Sequence, residues 1–169
     1  MAEKRTYGVY AETQKPFEQA LQATRDALKV HGFGVLWEID VRATMKAKLG
    51  VDFPDYVILG ACNPPIAHQA LTAEPDIGLL LPCNCIVRRD GEKTVIGAIE
   101  PHELMGLTGR ADLTPFADKV AEALSAVVEE AARSCEVIGE GHRPLPATAP
   151  EPRRACPSVP RLAATVGRP

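Results

Sequence analysis

The sequence predicts an α+β domain: a two-layer sandwich in which a mainly antiparallel sheet carries long helices on one face. Three observations carry this. Val35, Trp37, Ile39 and Val41 alternate with Leu36, Glu38 and Asp40, the period of a strand with one face in the core. Two stretches, one led by Pro16 and one by Thr114-Pro115, repeat apolar residues every three to four positions, the period of a helix. Between two further apolar runs stands Arg89-Asp90-Gly91-Glu92, whose Asp-Gly pair is the chemistry of a tight hairpin turn.

In chain order, Thr6 to Ala11 reads as a short strand. Pro16 then pre-sets the first turn of a helix whose apolar positions are Phe17, Leu21, Thr24 and Leu28, and Gly32 stops it. The alternating segment from Val35 follows as a half-buried strand. Arg42 to Leu49, with Met45 and Leu49 four apart and Gly50 behind them, suits a short helix. Asp55 to Gly60 is a continuous apolar strand, placed centrally because it has no wet face. Asn63 is the N-cap and Pro64 the first residue of a helix through Leu71, which Glu74-Pro75 ends. Ile77 to Arg88 reads as another strand, and Lys93 to Ile99 completes the hairpin. From Thr114 the stripe of Phe116, Val120, Leu124, Val127, Val128 and Ala131 makes one long amphipathic helix.

A chain of 169 residues has room for one ordinary domain, here residues 1–138. Residues 139–169 hold seven prolines and five arginines against two acidic residues. Few large apolar side chains remain there to offset ordering entropy, so a disordered tail is expected. The body is net acidic without a basic stripe, which excludes nucleic acid as its expected partner. No apolar stretch is long enough for a membrane helix, and the first residues lack the apolar centre of a secretory signal. A soluble, cytoplasmic protein is expected. The five cysteines, at 62, 83, 85, 135 and 156, form an odd set without paired CxxC spacing, which fits free thiols in a reducing compartment.

Two of those cysteines carry the functional lead. Cys62-Asn63-Pro64 closes one apolar run and Pro82-Cys83-Asn84 closes another, so two strand ends bring thiol and amide groups toward one pocket. Cys62 stands before a helix N-terminus, where unpaired N–H groups and the dipole lower a thiol's pKa. It is the candidate catalytic nucleophile. Cys62, Asn63, Cys83 and Asn84 are the candidate ligand-binding residues, suited to a small polar or thiol-containing molecule. Cys83 and Cys85 are two apart on an extended segment and share a face. With Cys62 they form a candidate site for a thiophilic ion such as zinc or copper(I), His68 being the nearest further ligand. His31 and His102 are tied to neither cysteine by sequence. Phosphate loops, serine nucleophile elbows and metal-binding histidine pairs are missing, which disfavours an NTPase or a standard hydrolase.

Leu59-Gly60-Ala61-Cys62-Asn63-Pro64, Ala67, Gly78-Leu79-Leu80-Leu81-Pro82-Cys83-Asn84 and the earlier Gly50-Val51-Asp52-Phe53 together resemble the domain of unknown function 302 family, over about residues 6 to 133. The resemblance implies a β-α-β4-α order like that of TATA-box-binding-protein-like folds. It also implies a homodimer, and no established activity. Cys62, Asn63, Pro64, Pro82, Cys83 and Asn84 match the family's motif residues. Cys85 departs from it, an aliphatic residue being usual there. The leading expectation is a homodimeric small-molecule-binding domain with its pocket at Cys62 and Cys83. The alternatives are a thiol-dependent enzyme or redox protein using Cys62, alone or as a switchable pair with Cys83, and a metal-binding accessory protein. No cofactor is specified.

Overall fold

The computed structural model describes residues 2–5 and 7–133. The expected tail from Gly139, with Cys135 and Cys156, lies outside the described residues. Among the described residues six strands form one sheet: β1 (Glu3–Arg5), β2 (Gly8–Thr13), β3 (Gly34–Asp40), β4 (Tyr56–Cys62), β5 (Cys83–Asp90) and β6 (Lys93–Ile99). Five helices accompany them: α1 (Phe17–Val30), α2 (Val41–Leu49), α3 (Pro64–Ala73), α4 (Pro101–Gly106) and α5 (Thr114–Ala132). The strand order is β1-β2-β6-β5-β4-β3, with every neighbouring pair antiparallel. With β1 and the three shorter helices set aside, the order is the expected β-α-β4-α.

One face of the sheet packs under the two long helices. Alternate residues Val57, Leu59 and Ala61 of β4, Cys83, Cys85 and Val87 of β5, and Ile96 and Ala98 of β6 join Leu21 and Leu28 of α1 and Val120, Leu124 and Val127 of α5 in one buried cluster. The helical period puts these α5 residues on one stripe, and burying each Val or Leu contributes about 1.5–3 kcal/mol. A second cluster, Ala70, Ile77 and Leu113 with Leu80, Leu81, Met105 and Phe116 around them, closes the end of the domain where α3, α4 and the start of α5 meet.

Among the described residues, the opposite face has no long helix packed on it. Across β2 and β6, Tyr10 stands opposite Gly97, and across β3 and β4, Trp37 stands opposite Gly60. Each ring lies against its glycine: a Cβ on Gly97 would come within 2.6 Å of the Tyr10 ring, and one on Gly60 would run into the Trp37 indole. Glycine there lets an aromatic ring lie flat on the sheet.

Several expectations change. The Val35 segment is a strand, but it is the exposed edge of the sheet rather than half-buried. An irregularity between Val35 and Trp37 breaks the simple alternation, and Val41 already belongs to α2. Instead of core packing, β3 is joined to α1 by an Arg25–Glu38 ion pair at 2.7 Å. The strand expected from Ile77 begins only at Cys83. Pro75 opens a 3-10 turn over Pro75–Leu80, the Glu74 carboxylate accepts the Asp76 N–H at 3.2 Å, and the Leu81-Pro82 peptide is cis. β1 and α4 were not expected. β1 is three exposed charged residues and α4 only six residues, so neither carries a readable period.

Candidate functional site

Antiparallel pairing of β4 with β5 puts the two cysteine corners at the same end of the sheet. Ala61 and Cys83 are direct cross-strand partners, so Cys62, one residue on, closes β4 where Cys83 opens β5. The chain then turns into α3, with Asn63 as N-cap: its side-chain oxygen accepts the Ile66 N–H at 3.4 Å. Cys62, Asn63 and Cys83 line one small cleft with Phe33, Ile66, Leu81, Met105 and Val120 as apolar walls. Its volume is about 30 Å³, room for about one water molecule.

The expected activation of Cys62 is not met. Burial pushes its thiol up from the ordinary value, and the sequence of α3 explains why the helix end does not oppose this. Pro64 and Pro65 have no N–H to offer. The Ile66 N–H goes to the Asn63 side chain, and the Ala67 N–H goes to the Asn63 carbonyl at 2.9 Å. None of the residues Pro64 to Ala67 has an N–H left for a thiolate. Cys83 is pushed up to about 11, by burial first and then by the neighbouring Cys62. Cys85 is fully enclosed by the core and is pushed up to about 12, again by burial and then by Cys83.

The structure also separates residues that the sequence grouped. Asn84 is exposed, and it does not line the cleft of Cys62 and Cys83. It lines two other depressions, one of about 210 Å³ with Trp37, Leu79 and Pro82, and one of about 160 Å³ with Tyr7, Tyr10 and Tyr56. Alternation along β5 turns it away from its flanking cysteines. Cys85 faces the core rather than the cleft. Among the described residues no group of three or more His, Cys, Asp or Glu side chains, Cys62, Cys83 and Cys85 included, is arranged to hold a metal ion. His68 is exposed on α3.

The remaining described histidines serve contacts between elements. His31 at the end of α1 reaches Glu130 of α5 at 3.1 Å. His102 of α4 is held on both sides: Nδ1 faces Glu100 Oε1 at 2.6 Å and Nε2 faces Asp118 Oδ1 of α5 at 2.8 Å. Ionised carboxylates only accept hydrogen bonds, so this arrangement satisfies both contacts when the imidazole carries two protons. Asp118 and Glu100 accordingly raise the His102 pKa. Glu100 is itself buried and bonded to Lys4 Nζ at 2.9 Å. Burial pushes its carboxyl up, but hydrogen bonds from His102 and Lys4 outweigh this and hold it below the usual range. Sequence reading missed this cluster, since Asp118 lies sixteen residues from His102. It also missed Met105, Phe33 and Val120 as cleft walls, because apolar residues on separate elements have no local signature.

The fold and the site define a small α+β protein with an open antiparallel sheet and a cysteine-lined corner between two strands and a helix. A family model described as domain of unknown function DUF302 matches residues 9–131, and the chain belongs to that family. The chain is similar to an uncharacterised conserved DUF302 protein from Bacillus stearothermophilus, known from a crystal structure, with 28% identity and a TM-score of 0.71 over 76% of this chain and 100% of that one. No curated protein matches. Among the described residues no helix is long and apolar enough to cross a membrane.

Proposed function

We propose that this chain is a homodimeric binding domain that receives a small, uncharged, largely apolar molecule at the cleft of Cys62, Asn63 and Cys83. The observation that carries this is the meeting of the two cysteine corners in one apolar-walled cleft whose thiols burial keeps protonated. A nucleophilic cysteine needs a lowered pKa or an adjacent base. Here the pKa moves the other way, and no described histidine lines the cleft. The thiols therefore act as soft, weakly polar wall groups, and the thiol-dependent enzyme reading is left without support. A polar ligand, the occupant first expected, loses its second amide because Asn84 faces elsewhere.

The support for dimerisation is the open sheet face. Trp37 and Leu79, 37% and 89% exposed, line a depression with Asn84, and Ile39 of the same strand as Trp37 is 42% exposed. Adjacent exposed apolar residues of this kind favour a covering surface, and a second copy presents the same apolar side chains. Native mass spectrometry of the chain purified from cell extract tests the binding reading: a bound molecule is expected, and Ala67→Phe, which fills the cleft wall, is expected to abolish it. Retention of the molecule by Ala67→Phe would place its site elsewhere.

A further inference from the structure

The cleft at Cys62 and Cys83 has a larger neighbour. A cavity of about 330 Å³ lies between α4, the segment behind it and the first turns of α5, with His102, Gly106, Arg110, Thr114 and Ala117 among its lining. Met105 lines both spaces. So does α5, through Ala117 on one side and Val120, a turn later, on the other. The thiol cleft alone admits about one water, whereas small-molecule sites run from roughly 300 to 1,000 Å³. We propose that Met105 is a gate between these two spaces, and that its displacement joins them into the site that receives the ligand. The proposal rests on the binding reading above and enlarges its site.

Three features of α4 suit a gate. Methionine is unbranched and repacks with little penalty. A helix of six residues is too short to sustain itself and depends on its contacts. Those contacts hold the backbone at both ends, the first turn through His102 to Glu100 and Asp118 and the last through the Thr108 N–H and Oγ1, which both donate to the Met105 carbonyl, so the gating displacement is one of the Met105 side chain. The charged lining also fits an uncharged ligand. His102 is balanced by Glu100 and Asp118, and Arg110 by Glu74 and Asp112, both pairs at 2.8 Å or less. Neither cation has charge to spare for an anion.

The test is iodoacetamide labelling of the full chain at pH 8, with each cysteine read separately by tandem mass spectrometry. Met105→Ala is expected to raise the labelling rate of Cys83 by about an order of magnitude, the scale of a local opening made easier, while Cys85 in the central core stays at its wild-type rate. Met105→Leu, which restores the partition, is expected to return Cys83 to the wild-type rate. An unchanged Cys83 in Met105→Ala, or a parallel rise of Cys83 and Cys85, would overturn the gate, since a parallel rise reports unfolding. Gly106→Phe moves the opposite way. A side chain there meets nothing within 4 Å at its Cβ and fills the cavity into which Met105 would swing, so Cys83 labelling should fall several-fold below wild type. No fall would equally overturn the proposal. None of these measurements needs a ligand, so failure of the binding reading would not mimic failure of the gate.

Discussion

At Cys62 two opposing effects meet, and the donors of α3 decide between them. A helix N-terminus lowers a thiol's pKa through free N–H groups, but two prolines and the Asn63 cap leave none on Pro64 to Ala67. Burial is then unopposed. Cys62 is expected to react with iodoacetamide at pH 7.5 more slowly than a free model thiol, and a faster reaction would restore the nucleophile reading. The deeper thiols make a second prediction. Cys83 and Cys85 move from 9.0 up to about 11 and about 12. A raised folded value gives stability that is complete below the unfolded pKa and is lost as pH climbs toward the folded one. Urea unfolding should therefore show stability falling above pH 9, by up to about 1.4 kcal/mol per unit for each thiol. The difference between pH 8 and pH 10 should shrink in Cys85→Ala; an unchanged difference would show that Cys85 does not carry it. His102 obeys the same rule nearer neutrality. Its support is complete below its ordinary value of about 6.5 and is lost as pH rises through its raised value. Asp118→Asn should thus cost about 0.2–1 kcal/mol at pH 6, the scale of an exposed pair, and progressively less as pH rises through that raised value.

At the scale of elements, what was legible in the sequence follows from period and length. α1, α5 and the β5–β6 hairpin were readable because each repeats one pattern over enough residues or carries an Asp-Gly turn. Leu124, on the α5 stripe and fully buried, shows what that pattern contributes: Leu124→Ala should cost about 2–5 kcal/mol in urea unfolding, and a loss below 1 kcal/mol would mean that α5 is not a core helix. The β3 pattern misled, because alternation records which side chains could be buried and not whether a helix lies over them. β5 was read as too long because the apolar run from Ile77 serves two elements, a 3-10 turn that buries Ile77 in the second cluster and a strand that starts after Pro82. The candidate site was legible only in part. The Cys62 and Cys83 corners are strand ends, and antiparallel pairing joins them. The loss of thiolate support was also written in Pro64-Pro65. Met105 and His102 were not legible, since their roles exist only once α4 lies across α5.

For the whole molecule, the open sheet face sets the main requirement. A sheet covered by long helices on one face leaves the other to water or to a partner, and this one carries aromatic rings laid on glycines beside an exposed edge strand. An edge strand with unpaired backbone groups is a liability that proteins cover or protect, and β3 also carries Trp37, the only tryptophan in the chain. That makes its fluorescence a direct report on this face. If a second copy covers it, sedimentation should show a dimer whose dissociation on dilution shifts Trp37 emission to the red as the indole meets water. Trp37→Glu should give a folded monomer at concentrations where the wild type is dimeric, because a charge buried in an apolar interface is strongly disfavoured. A wild-type chain that sediments as a monomer at every concentration would remove the dimer from the proposed function. The cleft at Cys62 would stand unaffected, because its walls come from β4, β5, α3, α4 and α5 within one chain.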